Sequence, residues 1–430
     1  MSHQDTIISL LNGSHSPYHV IENIRLLLEQ EGYRCVDEKE VTALSPDCKY
    51  YVIRNKSSLI AFVTPNEKIE SAKIIACHSD SPSFKIKSNP VVKTNDLIRL
   101  NVDPYGGMIK YSWFDRPLSI AGRIITSEGD VISQSLLDID EDLCTIPSLC
   151  IHQTTASVND NTAVDLLPLI SQNPDFDFNK FISEKAGIGD ARLLGYDLYL
   201  YTRDEAKILG ESKEFLSSPR LDDLASTYST LLGFVESNRG TKEGSCLDVY
   251  AVFDNEEIGS QTCNGAMSTF LKDVLKRVCS MSAAEYEKVV ANSFLLSVDN
   301  GHATHPAHPE NSDYGCDVRL NGGIMIKEIA AKQYTTDGLS SALVRTICIR
   351  HGLPYQEFTN KNTVRCGSTL GRLSNNQVSL LACDIGLPQL AMHSSVELCG
   401  IRDLDNMVEF IKAYETENFS FAGETIVFNK

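Results

Sequence analysis

Residues 249–259 read VYAVFDNEEIG, a run of apolar and β-branched positions followed at once by two adjacent glutamates, Glu256 and Glu257. The run is predicted to be a strand. That places both carboxylates at its carboxyl end, where α/β proteins keep their reactive groups. Adjacent side chains leaving a strand end diverge, so one glutamate can grip a metal while the other handles a proton beside it. On this segment alone, a solvent-facing acidic pair accounts for the same letters.

Other apolar runs end in a similar way. Residues 73–77 (KIIAC) deliver His78 and, two positions on, Asp80, a spacing that lets a carboxylate reach back to the second imidazole nitrogen. Residues 294–298 (FLLSV) deliver Asp299, and residues 388–392 (PQLAM) deliver His393. In an open parallel sheet the carboxyl ends share one crevice, which would gather these scattered residues into a cluster. Residues 217–232 (SSPRLDDLASTYSTLL) carry apolar positions at helical spacing, with Asp222 and Asp223 in the first turn. Acids there are also favoured by the helix dipole alone. Two imidazoles and three carboxylates suit a pair of Zn, Mn or Co ions better than one closed structural zinc. The thirteen cysteines contain no CxxC pair, which argues against a zinc ribbon, an iron–sulfur cluster or a thioredoxin-type site.

Eight stretches in order then resemble the aspartyl aminopeptidases, a family of two-zinc exopeptidases. They are ACHSDSPSFKIK from Ala76, YGGMIKYSWFDRPLSIAGR from Tyr105, IPSLCIHQ from Ile146, SPRLDDL from Ser218, FDNEEIGS from Phe253, SVDNGHATHP from Ser297, CGSTLG from Cys366 and GLPQLAMHS from Gly386. The resemblance implies one metal on His78, Asp222 and Asp299 and a second on Asp222, Glu257 and His393, with Asp222 as the bridge. It implies Glu256 as general base, Asp80 as support for His78, and His152 as a residue that enters a neighbouring subunit's site to bind the reacting carbonyl. Lys327 matches a lysine tied to the family's preference for amino-terminal aspartate or glutamate; an ammonium pairs well with a substrate carboxylate. By local sequence alone, His152 reads as a surface or packing histidine and Lys327 as a solvated lysine.

The chain also departs from the family's pattern. It reads EIAAKQYTT where the family has NxNQRYAT, and it has Asp223 and Val396 at positions that usually differ, which bears on substrate preference more than on reaction type. His302, His305 and His308 read as loop or supporting residues, not as a third metal site.

The length of 430 residues and 42% hydrophobic content allow a substantial core plus a second module. A net charge of −18 argues against a nucleic-acid partner. No apolar run reaches membrane-spanning length, the start lacks a secretory signal, and scattered thiols fit the cytoplasm. Roughly 140 residues separate His78 from Asp222, more than a loop in a compact domain holds, so an insertion is expected. The expected fold is α/β: a mixed, largely parallel sheet sandwiched by helices in a discontinuous catalytic domain, residues 1–87 plus 217–430. Residues 88–216 form the inserted β-rich domain, serving oligomerisation and substrate access. The resemblance adds a tetrahedral homo-dodecamer acting on small peptides. Other readings compatible with the residues are a broader-specificity aminopeptidase, another two-metal hydrolase, or an inactive peptide-binding assembly protein.

Overall fold

The computed structural model describes residues 2–39, 44–153, 161–364 and 367–429; Cys366, which opens the CGSTLG stretch, lies outside them. The larger sheet has nine strands in the spatial order Arg34–Cys35, Cys48–Arg54, Ser58–Thr64, Cys246–Phe253, Ser71–His78, Phe294–Val298, Leu381–Gly386, Ile324–Lys327 and Tyr355–Phe358. Its middle four run parallel. The sheet as a whole is mixed, because Ser58–Thr64 and Ile324–Lys327 enter antiparallel.

Burial accounts for the central strands. Every residue of Phe294–Val298 is buried, and in Ser71–His78 all but the first, the continuous pattern of strands covered on both faces. Alternate residues feed two cores. Ile75 and Cys77 pack with helices Leu221–Ser237, Gly338–His351 and Ile401–Thr416, while Ile74 and Ala76 pack with Phe270–Cys279 and Ala283–Ala291. At the start of Ser71–His78, buried Lys73 donates to the carbonyls of Tyr414, Glu415 and Glu417 at 2.9, 2.7 and 2.7 Å. Those contacts satisfy groups that the end of helix Ile401–Thr416 would otherwise leave unpaired.

A second, wholly antiparallel sheet orders Val131–Asp138, Leu118–Glu128, Arg192–Thr202, Ser83–Thr94, Leu97–Tyr105 and Leu169–Ser171. It has its own core, which includes Phe84, Trp113 and Phe178. Strand Ser83–Thr94 runs across the 87/88 position. Lys207–Leu209 and Phe215–Ser218 join a third sheet with Glu397–Gly400, Pro388–Leu390 and Gly301–His302. Strands of two to four residues are too short for alternation to reveal, and the sequence reading did not anticipate this sheet.

The amino-terminal segment touches the antiparallel sheet, through the turn after helix His3–Asn12 and the start of helix Pro17–Gln30. The His15 ring stacks on Tyr201 at 3.9 Å and its Nδ1 lies 2.6 Å from Asp138 Oδ2, while the Arg123 guanidinium covers the Tyr18 ring at 4.7 Å. Among the described residues no helix is long and apolar enough to cross a membrane, and all described cysteines are free thiols.

Candidate active site

The parallel register sets the site. Phe253 pairs with His78, so the turn carrying Glu256 and Glu257 leaves beside the imidazole, and Asp299 follows Phe294–Val298 on the other flank. Glu256–Ile258 forms one 3-10 turn between Asn255 and Gly259, both with positive φ. His393 arrives by a different route from the expected strand end. Pro388–Leu390 belongs to the third sheet, and Ala391 and His393 both adopt left-handed backbone (φ 56° and 65°), which ends the strand and turns the imidazole inward.

These residues converge. His78 Nε2 lies 3.5 Å from Asp222 Oδ1 and 3.8 Å from Asp299 Oδ1, while His393 Nε2 lies 3.4 Å from both Asp222 Oδ2 and Glu257 Oε2. Two groups result, each with ligand atoms within 4.8 Å of one another: His78, Asp222, Asp223 and Asp299, and Asp222, Glu257 and His393. Asp222 belongs to both and presents one oxygen to each. His78 is 1% exposed and Asp222 3%. Burying this many carboxylates is costly without a cation or donors. Asp222 Oδ1 and Glu257 Oε1 are buried with no hydrogen-bond partner, so the donor set and its orphaned oxygens fit divalent cations of the zinc, manganese or cobalt type.

The electrostatics follow from burial and crowding. Burial, with Asp299, Asp80 and Asp222 adding to it, pushes the Glu256 carboxyl up to about 8. Burial raises Glu257 and Asp223 well above the carboxylate range. Burial also works against ionisation of Asp222, but the His393 and His78 imidazoles outweigh it and hold the acid below its usual value.

Asp80, Glu397 and Asp223 grip the backbone of this cluster. Asp80 accepts the Glu256 amide on Oδ1 and the Glu257 amide on Oδ2, each at 3.1 Å, and the Tyr105 hydroxyl on Oδ2 at 2.7 Å. Its main-chain carbonyl lies 3.0 Å from His78 Nδ1 and its carboxylate 3.4 Å, so the closer support of the imidazole comes from the carbonyl. Glu397, 3% exposed, accepts the Asp222 amide at 2.9 Å and the His393 amide at 2.6 Å. Burial, with Asp222 adding to it, raises Glu397 to about 8. Asp223 accepts the amides of Asn300 at 3.2 Å and His78 at 3.4 Å, so its oxygens are already engaged by the chain. Sequence reasoning missed Glu397; its only signal was an acid four positions after His393.

Lys327 lies next to Asp299 but faces inward. It is 2% exposed, donates to the carbonyls of Asp299 and Asn300 at 2.6 and 3.1 Å, and lies 3.4 Å from Asp299 Oδ2. This differs from the solvated lysine that local sequence suggests: the ammonium is taken up by the backbone beside a ligand candidate. His152 is exposed in the turn 151–153 and joins neither group. His302 lies 3.2 Å from Asn360 Oδ1, His305 and His308 are exposed, and none of the three joins either group.

Comparison with known proteins narrows the class. The family model described as aminopeptidase I zinc metalloprotease (M18) matches residues 10–414. The probable M18 family aminopeptidase 2 of Clostridium acetobutylicum is 38% identical over 413 residues, 92% of this chain and 94% of that protein. Its Pseudomonas aeruginosa counterpart is 33% identical over 420 residues, 95% and 96% of the two chains. Among solved structures, a chain in the cryo-EM structure of the Ape4 and Nbr1 complex superposes with TM-score 0.90 at 30% identity, covering 96% of this chain and 85% of that one. The S. cerevisiae mApe1 dodecamer gives a TM-score of 0.83 at 26% identity, covering 96% and 95%. Fold and comparisons together define a metal-dependent exopeptidase, a hydrolase. More narrowly, the chain belongs to the M18 family of zinc aminopeptidases.

Proposed function

We propose that this M18 aminopeptidase removes amino-terminal aspartate or glutamate from small peptides with two divalent cations, zinc first among them. His78, Asp222 and Asp299 would hold one and Asp222, Glu257 and His393 the other. The observation that carries this reading is Asp222, whose two oxygens face two different groups of ligand atoms. When bound, such ions polarise a scissile carbonyl and acidify water. Glu256 is the general base: it is half-buried, its amide is tethered by Asp80, and its pKa, raised by burial to about 8, suits exchange of a proton near neutral pH. It accepts a proton from the attacking water and returns it to the departing amine.

The acidic preference rests on the resemblance and on the cationic charge of Lys327. Its ammonium already has carbonyl partners, so Lys327 acts on a substrate carboxylate through its field or by exchanging those partners. The same observation favours a second reading, an aminopeptidase of broader specificity. His152, exposed on its turn, is assigned to a neighbouring subunit's site in a homo-oligomer of the dodecameric kind named for S. cerevisiae mApe1. Residues 88–216 are assigned to the inserted module for assembly and access, and residues 1–87 plus 217–430 to the catalytic part. The test is metal-stripped protein reloaded with Zn, Mn or Co and offered aspartyl-, glutamyl-, leucyl- and blocked aspartyl-anilides. Faster turnover of the acidic pair, with the blocked compound inert, supports the first reading. Equal rates on leucyl and aspartyl substrates favour the second, and cleavage of the blocked compound removes both.

A further inference from the structure

We infer that Tyr105 is a positioning residue for the Glu256–Glu257 turn, acting through Asp80; the inference rests on the proposed role of Glu256 as base. Tyr105 closes the strand Leu97–Tyr105, so it comes from the antiparallel sheet, whereas the turn it serves leaves the nine-stranded one. The direction of its hydrogen bonding is fixed by its neighbours. Asn255 Nδ2 donates to the Tyr105 oxygen at 3.0 Å, and the hydroxyl proton then has the Asp80 Oδ2 acceptor at 2.7 Å.

Asp80 is wholly buried and divides its two oxygens between the amides of Glu256 and Glu257. A buried carboxylate of this kind is held in place by its donors, and charge-assisted bonds are the strong ones. Without the hydroxyl, Oδ2 keeps the Glu257 amide alone and Asn255 loses its acceptor. The turn is held in an unusual conformation, since Asn255 has φ 64°, and such backbone persists only when its surroundings over-determine it. Loosening the clamp therefore displaces Glu256, and a misplacement of about 1 Å costs on the order of 10²-fold in rate.

The adjoining residues of the same segment touch the site too. A Cβ on Gly106 would lie 3.1 Å from Glu257 Cβ, and the Ile109 amide donates to the His393 carbonyl at 2.9 Å. The aromatic ring of Tyr105 has a separate packing role, edge-on to Tyr199 at 5.5 Å. Phenylalanine keeps that ring and removes only the hydroxyl.

The test uses full-length, zinc-loaded Tyr105→Phe with the best unblocked anilide. The expected result is a kcat lowered about 10- to 100-fold, a KM within about twofold and the metal content of the wild type. In an Asp80→Asn background the same substitution should lower kcat by less than about twofold, because its route is already cut. Should Tyr105→Phe fail to fold, Asn255→Gly, which tolerates positive φ and removes the hydroxyl's other partner, should lower kcat about 3- to 10-fold at unchanged KM. A Tyr105→Phe kcat within twofold of wild type, a loss that tracks lost metal, or a full multiplicative loss on top of Asp80→Asn overturns the inference. Wild-type protein inert toward every unblocked peptide instead removes the proposed reaction, and this inference with it.

Discussion

The nine-stranded and the six-stranded sheets meet at the same cluster but contribute in different currencies. The first supplies side chains from strand ends and the turns that follow them: His78, Glu256, Glu257 and Asp299. The second supplies constraint, through the Tyr105 hydroxyl on Asp80 and, from the segment that follows its strand Leu97–Tyr105, the Ile109 amide on the His393 carbonyl. Parallel strand ends converge by topology, so ligands can be far apart in sequence and still meet. Orientation needs a further set of donors and acceptors, and here those come largely from elsewhere in the fold.

The comparison breaks most visibly at Asp222. Asp222→Asn removes the charge shared by both groups, and the expected outcome is the largest in the molecule: activity below detection and less metal per chain by elemental analysis. Retention of full metal content would dissolve the shared-ligand reading. Glu256→Gln comes next, with an expected fall in kcat of about 10²- to 10⁴-fold and no change in bound metal. A well-folded Glu256→Gln enzyme at wild-type rate would exclude it as the base.

On helix Pro17–Gln30, where Tyr18 meets Arg123 of the antiparallel sheet and His19 Nδ1 lies 2.8 Å from Ser16 Oγ, the expected effect is on stability. Burial lowers the His19 pKa from 6.5 to about 4. Above pH 6.5 the imidazole is neutral in both folded and unfolded chains and imposes no penalty. Between 6.5 and about 4 the unfolded chain binds a proton that the folded chain refuses, so stability falls by up to about 3 kcal/mol as the pH drops through that window. Urea unfolding should show this slope reduced in His19→Asn; an unchanged slope would release His19 from the role. Smallest is Glu397→Gln, which turns one backbone acceptor into a donor and should weaken metal affinity about 10- to 100-fold in a metal titration, with the fold intact by circular dichroism. Unchanged affinity would mean that the Asp222 and His393 amides need no such clamp.

What could be read in advance follows the same division. The runs before His78, Asp299 and Glu256 are short but unbroken, apolar and buried on both faces, so both the strands and their polar ends are visible letter by letter. PQLAM reads the same way, yet two left-handed residues cut it short and move it to another sheet. Asp80 was visible as a partner for His78, but its hold on the amides of Glu256 and Glu257 was not. Neither were the holds of Glu397 and Asp223, because a backbone amide leaves no trace in residue type and its acceptor lies far away in the chain. The inward-facing Lys327 was hidden for a related reason: a lysine's burial depends on carbonyls gathered by tertiary structure.

Lys73 and His78 are five positions apart on one strand, and the strand between them behaves as a pinned strut. Sliding it by one residue would swap its faces, pulling Ile75 and Cys77 out of one core and Ile74 and Ala76 out of the other. It would also tear the ammonium from three carbonyls at the far end. The depth of the imidazole in the crevice is therefore fixed from the other end of its own strand, and a lesion at Lys73 would be felt as a shift of His78.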